Sequence, residues 1–113
     1  MRICGIDYSM ASPAICIHEG SEFNYSQCKF YFLTNVKKNV FTFNQNIIGE
    51  FFPEYSNESE RYDHISNWVL SKLKNVEKVA IEGYAYGAQG RIFHIAENTG
   101  LLKYKLWQKK YPV

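Results

Sequence analysis

The sequence predicts an α/β fold: a mixed sheet made of a three-strand antiparallel meander and a parallel fourth strand, in the order 3-2-1-4, with two helices. Three observations lead there. Apolar segments of strand length, separated by turn residues, fill the first third of the chain. A helix-start signal near residue 57 opens a stretch with 3.6-residue apolar periodicity. Another short apolar run follows that helix, so a helical crossover returns the chain to the sheet beside the first strand.

Residues 2–7 form the first expected strand and "SPAICIHE" (12–19) the second, joined by a turn through "YSMAS". Pro13 suits a strand start, where its missing N–H costs least. "GSE" (20–22) carries turn chemistry, and "FNYSQCKFYFLT" (23–34) alternates as a third strand should. The stretch "VFTFNQNIIGEFFPEYS" (40–56) has no single pattern; a short extra strand and a loop are compatible with it. Asn57 followed by Glu60 has capping-box spacing, and Tyr62, Ile65, Val69 and Leu73 recur on one helical face. "VEKVAIEG" (76–83) is the fourth strand. "RIFHIAENTGLLKYKLWQKK" (91–110) is a second helix, with Ile92, Ile95, Ala96, Leu102 and Leu106 on its apolar side. Gly100 weakens that helix by about 1 kcal/mol relative to alanine unless something packs closely against it.

At 113 residues the chain is long enough for one domain with a modest core. Aromatic residues make up 17%, a richness that suits a bulky core, an interface or stacking platforms for bases. The net charge of +2 is too small to signal nucleic-acid binding by itself, so any basic footprint must be local. Cys4, Cys16 and Cys28 lie in apolar stretches without metal-ligand spacing and are expected to be reduced thiols in a cytoplasmic protein. The sequence has no apolar run of membrane-span length and no secretory leader pattern. No partnership with a membrane or a small-molecule cofactor is expected.

Asp7 and Glu82 each end an apolar strand and are each followed by small or turn residues. On adjacent parallel strands about 4.8 Å apart, both side chains reach one point at the carboxyl edge of the sheet. Two carboxylates held about 4 Å apart repel by roughly 1–4 kcal/mol at effective dielectric constants between those of water and a protein surface. A shared proton offsets that repulsion, and so does a divalent cation with hard oxygen ligands, Mg²⁺ or Mn²⁺. A solvated strand-end acid is the bland alternative for each.

"GIDYSMASPAICI" resembles the first metal-binding strand of the ribonuclease H-like superfamily. "VAIEGYAYGAQGRIFHIAENTGLLKYKLW" is similar to the corresponding stretch of RuvC-like Holliday junction resolvases of bacteriophages, in which a strand ending in I-E-G-[YF] is followed by a glycine-rich loop and a helix. The two segments cover about 40% of the chain. The resemblance implies a single ribonuclease H-like domain over 1–113, with Asp7 and Glu82 as catalytic, metal-holding carboxylates. Glu97 falls where the phage subgroup has a helix acid. Tyr84 and Tyr86 fall in the loop where an aromatic meets junction bases, and Gly83, Gly87 and Gly90 would let its backbone approach a phosphate. Arg91, Lys103, Lys105, Lys109 and Lys110 make the second helix the most basic element and a candidate DNA contact. A solvated helix end explains those lysines equally.

The implied activity is Mg²⁺-dependent, structure-selective hydrolysis of branched DNA by a homodimer, in DNA recombination or replication. The family's remaining carboxylates lie on a helix after a fifth strand, so the chain is expected to be C-terminally incomplete, and to be inactive unless a partner supplies them. Two alternatives stay open: a non-catalytic ribonuclease H-like module that binds nucleic acid or a protein, and the sugar-kinase and actin-like branch, which shares the G-I-D-x-S opening.

Overall fold

A computed structural model of the chain describes residues 1–83 and 92–113. In chain order the elements are β1 (Arg2–Asp7), β2 (Ala14–Glu19), β3 (Cys28–Thr34), β4 (Thr42–Phe43), β5 (Ile47–Phe51), α1 (Glu58–Ser71), β6 (Lys78–Ile81) and α2 (Ile92–Gln108). They form one mixed sheet in the order β4-β5-β3-β2-β1-β6. β1, β2 and β3 are the antiparallel meander, and β6 lies parallel to β1. The expected 3-2-1-4 order is therefore the centre and one edge of the sheet, with β6 as the fourth strand.

Two strands extend the other edge. β5 pairs parallel with β3, and β4 pairs antiparallel with β5. A parallel neighbour normally needs a helical crossover. Here residues 35–46 make the return through a 3-10 turn at Lys37–Asn39 and the two-residue β4. Asn44 and Gln45 lie in the turn that joins β4 to β5, with φ of 48° and 68°, a conformation asparagine tolerates better than most residues. β3 begins later than expected. Asn24 caps a 3-10 turn over Tyr25–Gln27, its side chain accepting from the Ser26 N–H, so residues 23–27 leave the ladder.

Alternation along the strands divides the sheet into two faces. Cys4, Ile6, Ile15, Ile17, Leu33 and Val79 point to one side and pack with Ile65, Val69 and Leu73, on α1 and just after it, and with Leu102 and Leu106 of α2. Both helices thus cover the same face. The other face carries Ile3, Gly5 and Asp7 of β1 in register with His18, Cys16 and Ala14 of β2, and neither helix covers it.

α1 starts as its capping signal predicts: the Asn57 side chain accepts from the Glu60 N–H at 2.8 Å, and Glu60 accepts from the Ser56 N–H at 3.1 Å. On α2, Leu102 and Leu106 are buried as expected, but Ala96 is exposed and falls outside the apolar face. Asn98 and Thr99 are buried in its place, between the turns that bring Ile95 and Leu102 toward the core. Among the described residues no helix is long and apolar enough to cross a membrane.

Candidate functional site

The parallel pairing of β1 with β6 places Ile6 opposite Ile81, so the next residues, Asp7 and Glu82, stand side by side at the strands' carboxyl ends. The Glu82 N–H donates to the Ile6 carbonyl at 3.0 Å, carrying the ladder one residue past β6 and fixing the base of the Glu82 side chain. Both residues are exposed. The Asp7 carboxylate pushes the Glu82 carboxyl above the ordinary glutamate range, first through a hydrogen bond between the two groups, then through its charge. A proton shared between converging carboxylates is the expected consequence of two like charges at one site.

The surroundings hold that geometry. After Asp7 the chain turns sharply, the Ser12 N–H donating to Ser9 Oγ at 3.2 Å. Tyr8 and Met10 turn inward and are buried. Arg61 of α1 donates to the Met10 carbonyl at 3.0 Å while its guanidinium lies over the rings of Phe52 and Tyr55, 5.7 and 5.0 Å from their centroids. The turn that follows the first carboxylate is thereby tied to α1. Sequence reasoning missed Arg61; its only signal was helix spacing from Glu58, with which it forms a 3.7 Å ion pair. "EFFPEY" is split by the fold: Phe52 is buried in the core, while Phe51 and Tyr55 remain exposed. Beside Asp7 on the helix-free face, an apolar hollow of about 370 Å³ has Gly5, Ala14, Cys16, Phe30 and Phe32 in its lining.

The other candidate residues are dispersed. Tyr84, Tyr86, Gly87, Gly90 and Arg91 lie outside the described residues. Glu97 is exposed on α2 and contributes, after burial, to raising the Tyr62 hydroxyl. Tyr62 is itself within 2.9 Å of His94 Nδ1, a contact that joins α1 to α2. Lys105 is committed to α1, donating to Asp63 Oδ1 at 2.6 Å and Asn67 Oδ1 at 2.8 Å, and it holds the Asp63 carboxyl below the usual range. Lys103 is exposed along α2, and Lys109 and Lys110 follow its last turn. Seventeen residues of helix span about 25 Å, so Lys109 and Lys110 lie about that far from the start of α2. There the tail folds back, and the Val79 N–H donates to the Pro112 carbonyl at 2.8 Å.

The pair fits a hard divalent cation on its own chemistry: two oxygen donors at one point, open to solvent, with a mutual repulsion that a cation would relieve. Among the described residues no group of three or more His, Cys, Asp or Glu side chains converges. The pair therefore offers two protein ligands and leaves the remaining positions open.

No family model matches this chain, and no curated protein matches it closely enough to count as a relative. Among solved structures, RuvC from Thermus thermophilus superposes with a TM-score of 0.62 at 17% identity, over 100% of this chain and 61% of that one. The fold is thus ribonuclease H-like, of the RuvC kind. The chain spans about three-fifths of the RuvC chain that it matches.

Proposed function

We propose that this chain is the Asp7–Glu82 portion of a Mg²⁺- or Mn²⁺-dependent endonuclease that hydrolyses phosphodiesters in branched DNA, resembling the Holliday junction resolvases of bacteriophages and acting in the cytoplasm. The observation that supports it most is the carboxylate pair, side by side at the strand ends of a RuvC-like sheet and competing for one proton. A divalent cation bound there supplies Lewis-acid polarisation of a phosphoryl oxygen and a more acidic attacking water. Asp7 and Glu82 hold it, each from the end of a strand whose position the β1–β6 ladder fixes. Arg61 keeps the turn after Asp7 in place through the Met10 carbonyl, so the first carboxylate does not drift from the second. Tyr84 and Tyr86 are assigned to bases at the branch. Arg91, Lys103, Lys109 and Lys110 are assigned to phosphates, with Lys105 spent on α1.

The test is cleavage of a synthetic four-way DNA junction in Mg²⁺ or Mn²⁺ by the natural protein that contains this chain. Asp7→Asn and Glu82→Gln should each abolish cleavage and leave junction binding in place. Tyr84→Ala with Tyr86→Ala should weaken junction binding by about 1–3 kcal/mol per base at nearly unchanged salt dependence. Lys109→Ala with Lys110→Ala should weaken junction and duplex alike and flatten the salt dependence by about two units of slope. Junction binding with no cleavage in either metal would replace the nuclease by a non-catalytic binding module.

A further inference from the structure

Arg2 opens β1 and Asp7 closes it, so about 17 Å of strand separates the acid pair from the opposite end of the sheet. At that end, where β1, β3 and β5 begin, a cleft of about 720 Å³ lies between the Tyr25–Gln27 turn and the turn joining β4 to β5. Its size falls within the roughly 300–1,000 Å³ usual for small-ligand sites. Its walls carry charge, amides and rings. Arg2 donates to Glu19 at 2.9 Å, so those two charges cancel. Lys29 is exposed, and no carboxylate of the described residues lies within ion-pairing distance of it. The cleft is left with one uncompensated positive charge. Tyr25, 53% exposed, and Tyr31 contribute rings. Asn44 and Gln45 come from a turn closed by the Asn46 N–H on the Phe43 carbonyl at 3.2 Å. Positive φ at both central positions makes it a hairpin turn whose second place usually goes to glycine. Gln45 stands there instead, at a backbone cost, and a polar side chain kept in a costly conformation marks a functional position. The turn itself is fixed to β3: the Asn46 side-chain amide donates to the Cys28 carbonyl at 3.3 Å, and the Phe30 N–H donates to the Asn46 carbonyl at 2.8 Å.

We infer that this cleft binds a single nucleotide, with the phosphate on Lys29 and Arg2, the base against Tyr25, and the side-chain amides of Asn44 and Gln45 at the base's hydrogen-bonding edge. A metal cation is disfavoured, because the one carboxylate in the lining, Glu19, is already taken by Arg2 and Lys29 repels it. An apolar ligand would strip water from the amides and give nothing back. A bare phosphate would leave the rings and amides unused. A nucleotide engages all three kinds of group: an anion for the ammonium and guanidinium, a planar face for the tyrosine, and donors and acceptors for the amides. A free nucleoside monophosphate and the phosphorylated end of a DNA strand offer the same chemistry. The inference does not depend on the nuclease reading, because neither Asp7 nor Glu82 lines the cleft.

Titration of the natural protein that contains this chain with dAMP, followed by calorimetry and by backbone amide NMR shifts, tests it. EDTA is present throughout, so that no divalent metal takes part. dAMP should bind saturably and move the amide signals of residues 25–31 and 44–46. Lys29→Gln and Tyr25→Ala should each weaken binding at least fivefold, the first by loss of a charge-assisted hydrogen bond and the second by loss of stacking. Both side chains are exposed, so far-UV circular dichroism and the melting temperature should stay as in the parent. Deoxyadenosine, which lacks the phosphate, and deoxyribose 5-phosphate, which lacks the base, should each bind at least tenfold more weakly than dAMP. Asp7→Asn should leave these values unchanged. A 5′-phosphorylated tetranucleotide that binds at least tenfold more tightly than dAMP, with a gain that Lys29→Gln removes, assigns the cleft to a strand end. Equal or weaker binding assigns it to a free nucleotide. No saturable shift at ten millimolar dAMP overturns the inference. So does binding that both Lys29→Gln and Tyr25→Ala leave unchanged, or a response confined to Glu82 and α2.

Discussion

Glu82 illustrates how one side chain records its partner. Its carboxyl is raised because Asp7 shares a proton with it, so the folded protein binds that proton more tightly than the unfolded chain does. The linkage sign follows. The contribution to stability is present below the unfolded value, about 4.3 for glutamate, and is lost as pH rises through the raised folded value. At neutral pH the pair opposes folding, and a divalent cation competes with the proton for the same oxygens. Glu82→Gln should therefore melt higher than the parent at pH 7 without metal, and the difference should shrink to nothing below about pH 4. Mn²⁺ affinity of the parent, followed by calorimetry, should climb over the same pH window and be lost in Asp7→Asn. A melting difference independent of pH between 4 and 8 would mean that the two carboxylates do not share a proton.

The elements differ in how much of themselves the sequence shows, and the difference is local physics. α1 was legible from both ends of its cap, because Asn57, Glu60 and the Tyr62-Ile65-Val69 spacing are all short-range signals. The β1–β2 hairpin was legible from two apolar segments of strand length joined by turn residues. β5 was not: its parallel pairing with β3 is made through a crossover with no helix, and a long-range contact of that kind leaves no periodicity behind. Gly49 marks it only in retrospect, since a Cβ there would collide with the Asn39 carbonyl and the Phe32 ring. The acid pair was legible because strand-end acids are visible in a linear chain. Arg61, which ties the adjacent turn, was not, because its partner Met10 is 51 residues away. The cap can be weighed directly. Asn57→Ala removes the acceptor for the Glu60 N–H and should cost about 0.5–2 kcal/mol, measured by urea unfolding. Asn57→Asp should keep most of that stability, since aspartate caps equally well. Equal losses in both variants would show that Asn57 acts through something other than its cap.

At the scale of the molecule, a single cluster joins every layer. Leu102 of α2, fully buried, belongs to the same packed group as Ile6, Ile15 and Val79 of the sheet and Ile65 and Val69 of α1. The acid pair sits at the edge of that unit rather than on a separate loop, so the sheet cannot loosen without the carboxylates losing their register. Total stability for a domain of this size is on the order of 5–15 kcal/mol. Leu102→Ala removes fully buried side-chain atoms from that cluster and should cost about 2–5 kcal/mol, a large share of that total. Because the core is shared, the loss should appear in every part of the molecule at once. Trp68 reports on the α1–β5 edge, through the hydrogen bond from its indole N–H to Glu50. In a Trp107→Phe background, which leaves Trp68 as the only indole, its fluorescence and the far-UV circular dichroism should give one coincident urea transition at a fixed protein concentration. Leu102→Ala should shift both signals by the same amount. Separate transitions, with the Trp68 signal unmoved, would mean that α2 docks as an independent unit and that the carboxylates are held by the sheet and α1 alone.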